Sequence, residues 1–252
     1  MAVISQSPAG FPMAPSEEVW NALTADERAQ VVEALPGEVT DAEIAMPEGD
    51  RHFQAKTRAL DVLRSHFARQ RRRVYLAAEL PIYYPAEPRF APDLLAVLDA
   101  EDHPRDKWVV GAEGKGLDWV LEVHVGGDRK KDAEHNVARY ARLRIPEYFL
   151  YDRARNQLLV YRLAPGATTY TPIVPQHGRY ESRVLGLEVE VTRDRLRFFA
   201  GTAMLLESEE LIARLEQMLG EVQQRAEEET RRRKETELEV ARLREELARL
   251  KK

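Results

Sequence analysis

Apolar residues along this chain follow three rhythms in turn, and each predicts its own kind of element. Ser16 to Leu35 reads as one or two short helices. Ser16 is placed to cap, Glu17 and Glu18 sit in the first turn, and Pro36-Gly37 is a stop. From Asp50 to Gln70, residues Ala55, Leu60, Val62, Leu63 and Phe67 recur roughly at helical spacing, which predicts a longer helix. The pattern then switches to short apolar runs. Val74–Leu80, Asp93–Leu98, Trp119–Val125 and Glu147–Tyr151 read as strands. Pro81 to Pro92 holds four prolines and reads as a connection with an edge strand at Ile82–Tyr84. Residues 99–116 read as charged loop. Gly126-Gly127 breaks the third strand, and Lys130 to Leu143 is helical through Val137, Tyr140, Ala141 and Leu143. Further strands are expected at Leu158–Leu163, Tyr170–Ile173 and Val184–Val191. The "RDRLRFF" stretch near residue 196 reads as the end of the globular part, and residues 1–15 as a loose lead-in.

The third rhythm is that of the tail. From Ser208 to Lys252 there is no proline and one glycine, predicting one long helix. Leu211, Leu215, Met218 and Val222, and then Thr236, Val240, Leu243, Leu247 and Leu250, follow spacings of four and three. Both ends therefore carry a coiled-coil seam, and the charged middle, EEETRRRKE, interrupts it. A homo-oligomer or a helical partner is the expectation; a single helix held by Glu–Arg pairs is the alternative.

Helix, three strands, helix, strand and a β-rich end fit a mixed α/β fold. The expected organisation is a lead-in and helix over 1–34, a globular α/β domain over 35–204 and a helical tail over 205–252. The chain has 252 residues, 44% hydrophobic and 32% charged, with no cysteine. Disulfides and thiolate metal sites are thereby excluded. No apolar run approaches the roughly 18 residues of a membrane span. The N-terminus lacks a basic start and a long apolar core, so no signal peptide is read and a cytoplasmic protein is expected. The net charge of −5 argues against bulk attraction to nucleic acid. Locally, Val125–Arg144 carries six basic residues against three acidic ones, a modest patch that could bind nucleic acid without cutting it.

One residue in the strands asks for an explanation. Glu122 lies in the middle of the apolar run "DWVLEVHV", with His124 two residues later on the same face. A buried carboxylate needs a partner. Asp93 opens the preceding strand directly after Pro92. If the two strands are neighbours, the carboxylates converge at one sheet edge. Two hard oxygen donors, a backbone carbonyl and waters are what Mg²⁺ takes, and Mg²⁺ polarises phosphate and lowers the pKa of bound water. The plainer alternative is that Asp93 caps a turn and Glu122 pairs with an arginine.

A resemblance weights the first reading. "PDLLAVLD", then "LDWVLEV", then "DAEHNVARYARLRIPEYFLYD" resembles the large bacterial restriction-endonuclease family often called Uma-two, within the PD-(D/E)XK nuclease superfamily. Gly37–Leu63 is similar to the family's opening segment, with His52 at its recurrent histidine, and Ser182–Phe198 to its closing one. The similarity spans about residues 35–200; the tail lies outside it. It implies a restriction-endonuclease-like mixed sheet flanked by helices. By position, Asp93 is the motif aspartate and Glu122 the motif glutamate, both holding Mg²⁺ or Mn²⁺. The carbonyl of Val123 or His124 is a further candidate ligand, and Glu79 a weaker candidate acid. Asp118 shares the face of Glu122 but lies about 13 Å back along the strand.

The sequence departs from the family where a lysine is expected. Two residues after Glu122 stands His124, and in the helix, where a D-x-x-E-K-x-x-x-Y pattern places lysine, stands Asn136. Such a lysine orients the attacking water and stabilises charge on the phosphate. Lys130 or Lys131 is a candidate substitute from the loop, and His124 or His135 a candidate general base. Two functions therefore compete: a Mg²⁺-dependent DNA endonuclease, and a nuclease-fold scaffold that has lost catalysis and acts through its helical tail.

Overall fold

Runs that are apolar on both faces need cover on both faces, and that requirement organises the structure, a computed structural model. It describes residues 4–8, 10–38, 49–125, 129–193 and 195–250, and of residues 129–134 the backbone alone. The expected break at Gly126-Gly127 lies outside the described residues. The chain divides into two units, Met1–Leu205 and Leu206–Lys252.

The first unit is built on a six-stranded sheet. Its strands are β1 (Val74–Ala77), β2 (Leu94–Leu98), β3 (Trp119–His124), β4 (Glu147–Asp152), β5 (Gln157–Arg162) and β6 (Thr171–Pro172). Their order is β6-β5-β4-β3-β2-β1. β3 and β4 run parallel, and every other neighbouring pair is antiparallel. The longer helices of this unit are α1 (Glu17–Ala22), α2 (Ala25–Ala34), α3 (Gly49–Gln70) and α4 (Arg129–Arg142), and a single helical turn, Val110–Glu113, lies within the stretch 99–116 expected as loop. A parallel pair needs a crossover, and α4 supplies it between β3 and β4.

Alternation along the strands sends side chains to two cores. Leu94, Ala96, Leu121 and Phe149 meet Val62, Leu63 and Phe67 of α3. The same core includes Leu187, Val189 and Phe198 from a second, antiparallel sheet made of β7 (Tyr180–Ser182), β8 (Leu187–Thr192), β9 (Arg195–Ala200) and β10 (Ala203–Met204). On the other face Leu95, Val97, Val120 and Tyr148 meet Tyr140 of α4. α1 and α2 start as their sequence demands. Ser16 accepts a hydrogen bond from the Val19 amide, and Thr24 and Glu27 form a reciprocal capping box. Their Trp20, Val31 and Leu35 pack on Tyr83 and Val109. A Cβ at Gly111 would stand 2.9 Å from the Trp20 ring, so this close approach requires glycine.

Several boundaries differ from the sequence reading, each for a local reason. β1 stops at Ala77 because the backbone turns at Glu79, where φ is +52° and the amide donates to the Pro92 carbonyl at 3.0 Å. Ile82–Tyr83 is not an edge of the main sheet but pairs in parallel with Trp108–Val109. The run Val184–Val191 is a turn followed by a strand; Gly186, at φ +71°, makes the turn, and Arg72 donates to the carbonyls of Val184 and Leu185. The stretch near residue 196 is strand β9, paired along its length with β8. In the N-terminal segment Ser5–Gln6 pairs with Pro12–Met13, and Ala14 is buried.

A buried carboxylate, Glu147, helps tie the two sheets. Glu147 is 1% exposed. It accepts from Arg162 Nε at 3.0 Å, from the Ser182 hydroxyl at 2.6 Å and from the Arg183 amide at 2.9 Å. Replacing it leaves buried donors without an acceptor. Glu147→Ala is expected to cost about 3–5 kcal/mol of unfolding free energy, read as a lower urea midpoint with the m-value unchanged.

Candidate functional site

The register of β2 on β3 sets the site. Leu95 pairs with Val120 and Leu94 with Leu121, so the next opposed positions, where β2 begins, are Asp93 and Glu122. The Asp93 amide donates to Glu122 Oε2 at 3.3 Å, and the Val123 amide donates to Asp93 Oδ2 at 2.7 Å. β1 ends and β2 begins here, while β3 continues against β4 as far as His124. The two carboxylates therefore sit where the ladder opens, on backbone that is fixed on its other side.

Each helix layer adds a side chain. From α3, His52 Nε2 lies 2.9 Å from Asp93 Oδ1, with both side chains largely buried. One turn on, Lys56 is 4% exposed and ion-paired with Glu79. The Glu79 amide is the one bonded to the Pro92 carbonyl, directly before Asp93. From α4, the Tyr140 hydroxyl donates to Glu122 Oε1 at 2.5 Å. Burial, first, and the neighbouring Asp93 charge, second, hold the Glu122 carboxyl well above the usual carboxylate range; the Tyr140 hydrogen bond pulls the other way and is outweighed. Burial and then the Glu122 charge raise Tyr140 as well, so it keeps its proton and remains the donor.

Glu122 and Tyr140 line a pocket of about 580 Å³ together with His135, Asn136, Phe90 and Arg139. The described arginines of the basic patch are engaged. Arg139 and Arg142 both pair with Glu87, Arg139 lies 4.4 Å over the Phe90 ring, and Arg144 donates to the Ala167 carbonyl.

The structure thus brings Asp93 and Glu122 together, adds His52 to them, and puts Asn136 on the pocket of Glu122. His124 follows Glu122 on β3. Its buried Nε2 has no hydrogen-bond partner among the described residues. Its carbonyl accepts from the Arg153 amide at 2.9 Å on the β4 side. Within a strand, the N–H and C=O of one residue point to the same side. Val123, whose amide meets Asp93, therefore has its carbonyl on the open edge beside Asp93. Asp118 is elsewhere, accepting from the Leu98 amide and pairing with Lys115. The side chains of Lys130 and Lys131 lie outside the described residues. Among the described residues, no group of three or more His, Cys, Asp and Glu side chains is arranged to hold a metal ion.

Lys56 and Tyr140 were not foreseen. A signal for Lys56 existed: with Ala59, Leu63 and Phe67 it falls on the buried stripe of α3, where a lysine requires a partner. Tyr140 reads as an apolar stripe residue and as the closing tyrosine of the D-x-x-E-K-x-x-x-Y pattern, and neither says where its hydroxyl points.

No curated protein matches the chain. Among solved structures it is similar to the 1.96 Å crystal structure described as "a putative nuclease belonging to DUF820" from Anabaena variabilis ATCC 29413. The two are 15% identical over 56% of this chain and 76% of that one, with a TM-score of 0.44. The family described as "Putative restriction endonuclease", Uma2, matches residues 18–194. That span covers more than half of the 252 residues and contains Asp93, Glu122, His52 and Tyr140. By this match the chain belongs to the Uma2 family.

Proposed function

We propose that the protein is a divalent-metal-dependent endonuclease that hydrolyses DNA phosphodiester bonds, with Asp93 and Glu122 holding Mg²⁺ or Mn²⁺. The observation that carries this reading is the pair of acids itself. Two carboxylates meet at an open sheet edge, and burial first and the charge of Asp93 second hold the proton on Glu122. Such a pair is poorly stable when both members are ionised, and a cation relieves that repulsion. The donor set fits Mg²⁺, which binds through one or two carboxylates and keeps several waters. DNA as substrate follows from the family's description. When bound, the cation supplies Lewis acidity toward phosphate and water.

The chain's own residues have separate tasks. His52 fixes the orientation of Asp93, and Tyr140 that of Glu122. The Val123 carbonyl is a third oxygen at the same edge. Asn136 offers a hydrogen bond into the pocket but no charge. Lys56 supplies the positive charge missing at positions 124 and 136. It is a buried ammonium one turn from His52, and its partner Glu79 is 58% exposed by side chain, so the amine can exchange that partner for a phosphate oxygen.

The substitutions at His124 and Asn136 favour a second reading, a nuclease fold without catalysis. Metal titration followed by plasmid nicking separates the two. Wild type is expected to bind Mn²⁺ and nick; Asp93→Ala and Glu122→Ala are expected to lose both. Metal binding without nicking would leave the scaffold as the better account. Lys56→Ala is expected to keep metal binding while nicking falls about 10²-fold or more, the usual cost of removing one donor to developing charge. An unchanged rate would return the search to Lys130 and Lys131.

A stability prediction follows from the same pair. The Glu122 carboxyl titrates higher in the folded state than in the unfolded one, so between those two values the folded protein binds more protons. Metal-free stability should therefore decline as pH rises above about 4.5, the value for a free carboxyl. Glu122→Gln removes this ionisation and should melt higher than wild type at pH 8 in chelator. Saturating Mg²⁺ should raise the melting temperature of wild type but not of Glu122→Gln.

A further inference from the structure

The second unit contains one helix, α5 (Ser208–Leu250), with no buried residue along its 43 positions. Its exposed apolar residues define a seam that differs from the one expected from Leu211 and Met218. Leu211 is partly buried, whereas Ile212, Leu215, Met218, Leu219 and Val222 are each more than half exposed, and it is the unbroken spacing that selects Ile212 and Leu219 over Met218. Starting at Ile212, positions spaced three and four apart read Ile212, Leu215, Leu219, Val222, Ala226, Glu229, Arg233, Thr236, Val240, Leu243, Leu247 and Leu250. The heptad seam is continuous, and the charged middle interrupts its polarity without breaking its spacing.

This seam is self-complementary only when reversed. Turned about a two-fold axis at Arg231, each position n meets position 462 − n. Ile212 meets Leu250, Leu215 meets Leu247, Leu219 meets Leu243, Val222 meets Val240 and Ala226 meets Thr236. The remaining layers place Glu229 against Arg233, twice. Parallel in-register pairing would keep the apolar layers but stack Glu229 on Glu229 and Arg233 on Arg233. Like charges inside a seam oppose pairing, and a polar residue there sets register and orientation. Arg233 also bonds Glu237 along the helix at 3.1 Å, an exposed contact of small worth that leaves other guanidinium donors available.

We propose that α5 is a self-association surface that pairs antiparallel with α5 of a second copy, its orientation fixed by the two Glu229–Arg233 layers. The unpartnered seam is the surface, and charge complementarity identifies the occupant. The inference does not rest on the nuclease reading, and its test uses no DNA or metal.

The chain contains no cysteine, so Gln217→Cys, on the outer side of the helix, provides a single site for a nitroxide in the full-length protein. In the antiparallel pair residue 217 lies level with 245, an axial offset of about 42 Å at 1.5 Å per residue. The interspin distance should exceed that value. A parallel pair has no offset, and its distance is limited to about 20–30 Å by the width of two helices. Light scattering on the same sample should give the mass of a dimer. Arg233→Glu should weaken the dimer at least tenfold by facing Glu229 with glutamate, and Glu229→Arg combined with Arg233→Glu should restore it. A monomeric wild type, a short interspin distance, or a dimer indifferent to Arg233→Glu would each overturn the proposal.

Discussion

Opposition of Asp93 and Glu122 across the β2–β3 ladder is the constraint on which the site depends. It comes from register. Leu94 and Leu121 must share the α3 face, and Leu95 and Val120 the α4 face, because both sides of the sheet are buried. A slip of one residue would reverse every side chain. The apolar core therefore fixes the acids: the energy that holds them together comes from the leucines and valines beside them, not from any attraction between the carboxylates.

The helices then determine what each acid meets. α3 presses its Val62–Leu63–Phe67 stripe on one face, which carries His52 and Lys56 to the Asp93 side. α4 covers the other face and brings the Tyr140 hydroxyl to Glu122. Each acid is thus held from a different layer. The two grips differ in kind: a basic nitrogen on Asp93, and a neutral donor on Glu122 that is too weak to offset burial and the neighbouring charge. The imbalance keeps one proton within the pair.

The tail obeys the same rule with the roles exchanged. In the sheet, apolar layers place the charges. In the pairing proposed for α5, the apolar layers fit either direction and the two Glu229–Arg233 layers favour the antiparallel one. Charge contributes little to how tightly such seams associate and much to which partner and orientation they accept.

The sequence by itself determined the strands that carry Asp93 and Glu122, the α3 and α4 helices, and the long tail, because apolar periodicity is a local property. It also exposed Glu122, since a carboxylate in an apolar run stands out without any knowledge of the fold. Adjacency of successive strands suggested the pairing with Asp93, and family likeness over the same residues weighted it. What only the tertiary structure decided are contacts between elements far apart in the chain. His52 reaches Asp93 across 41 positions, Lys56 reaches Glu79 where the backbone turns left-handed, and Tyr140 reaches Glu122 from the opposite layer. The strand ends shifted for the same reason: β1 stops at Ala77 because the Glu79 amide bonds to Pro92, a residue of a different element. Periodicity reveals which face a residue occupies, but which atom its polar tip meets depends on how the layers dock, and that is fixed by packing over the whole core.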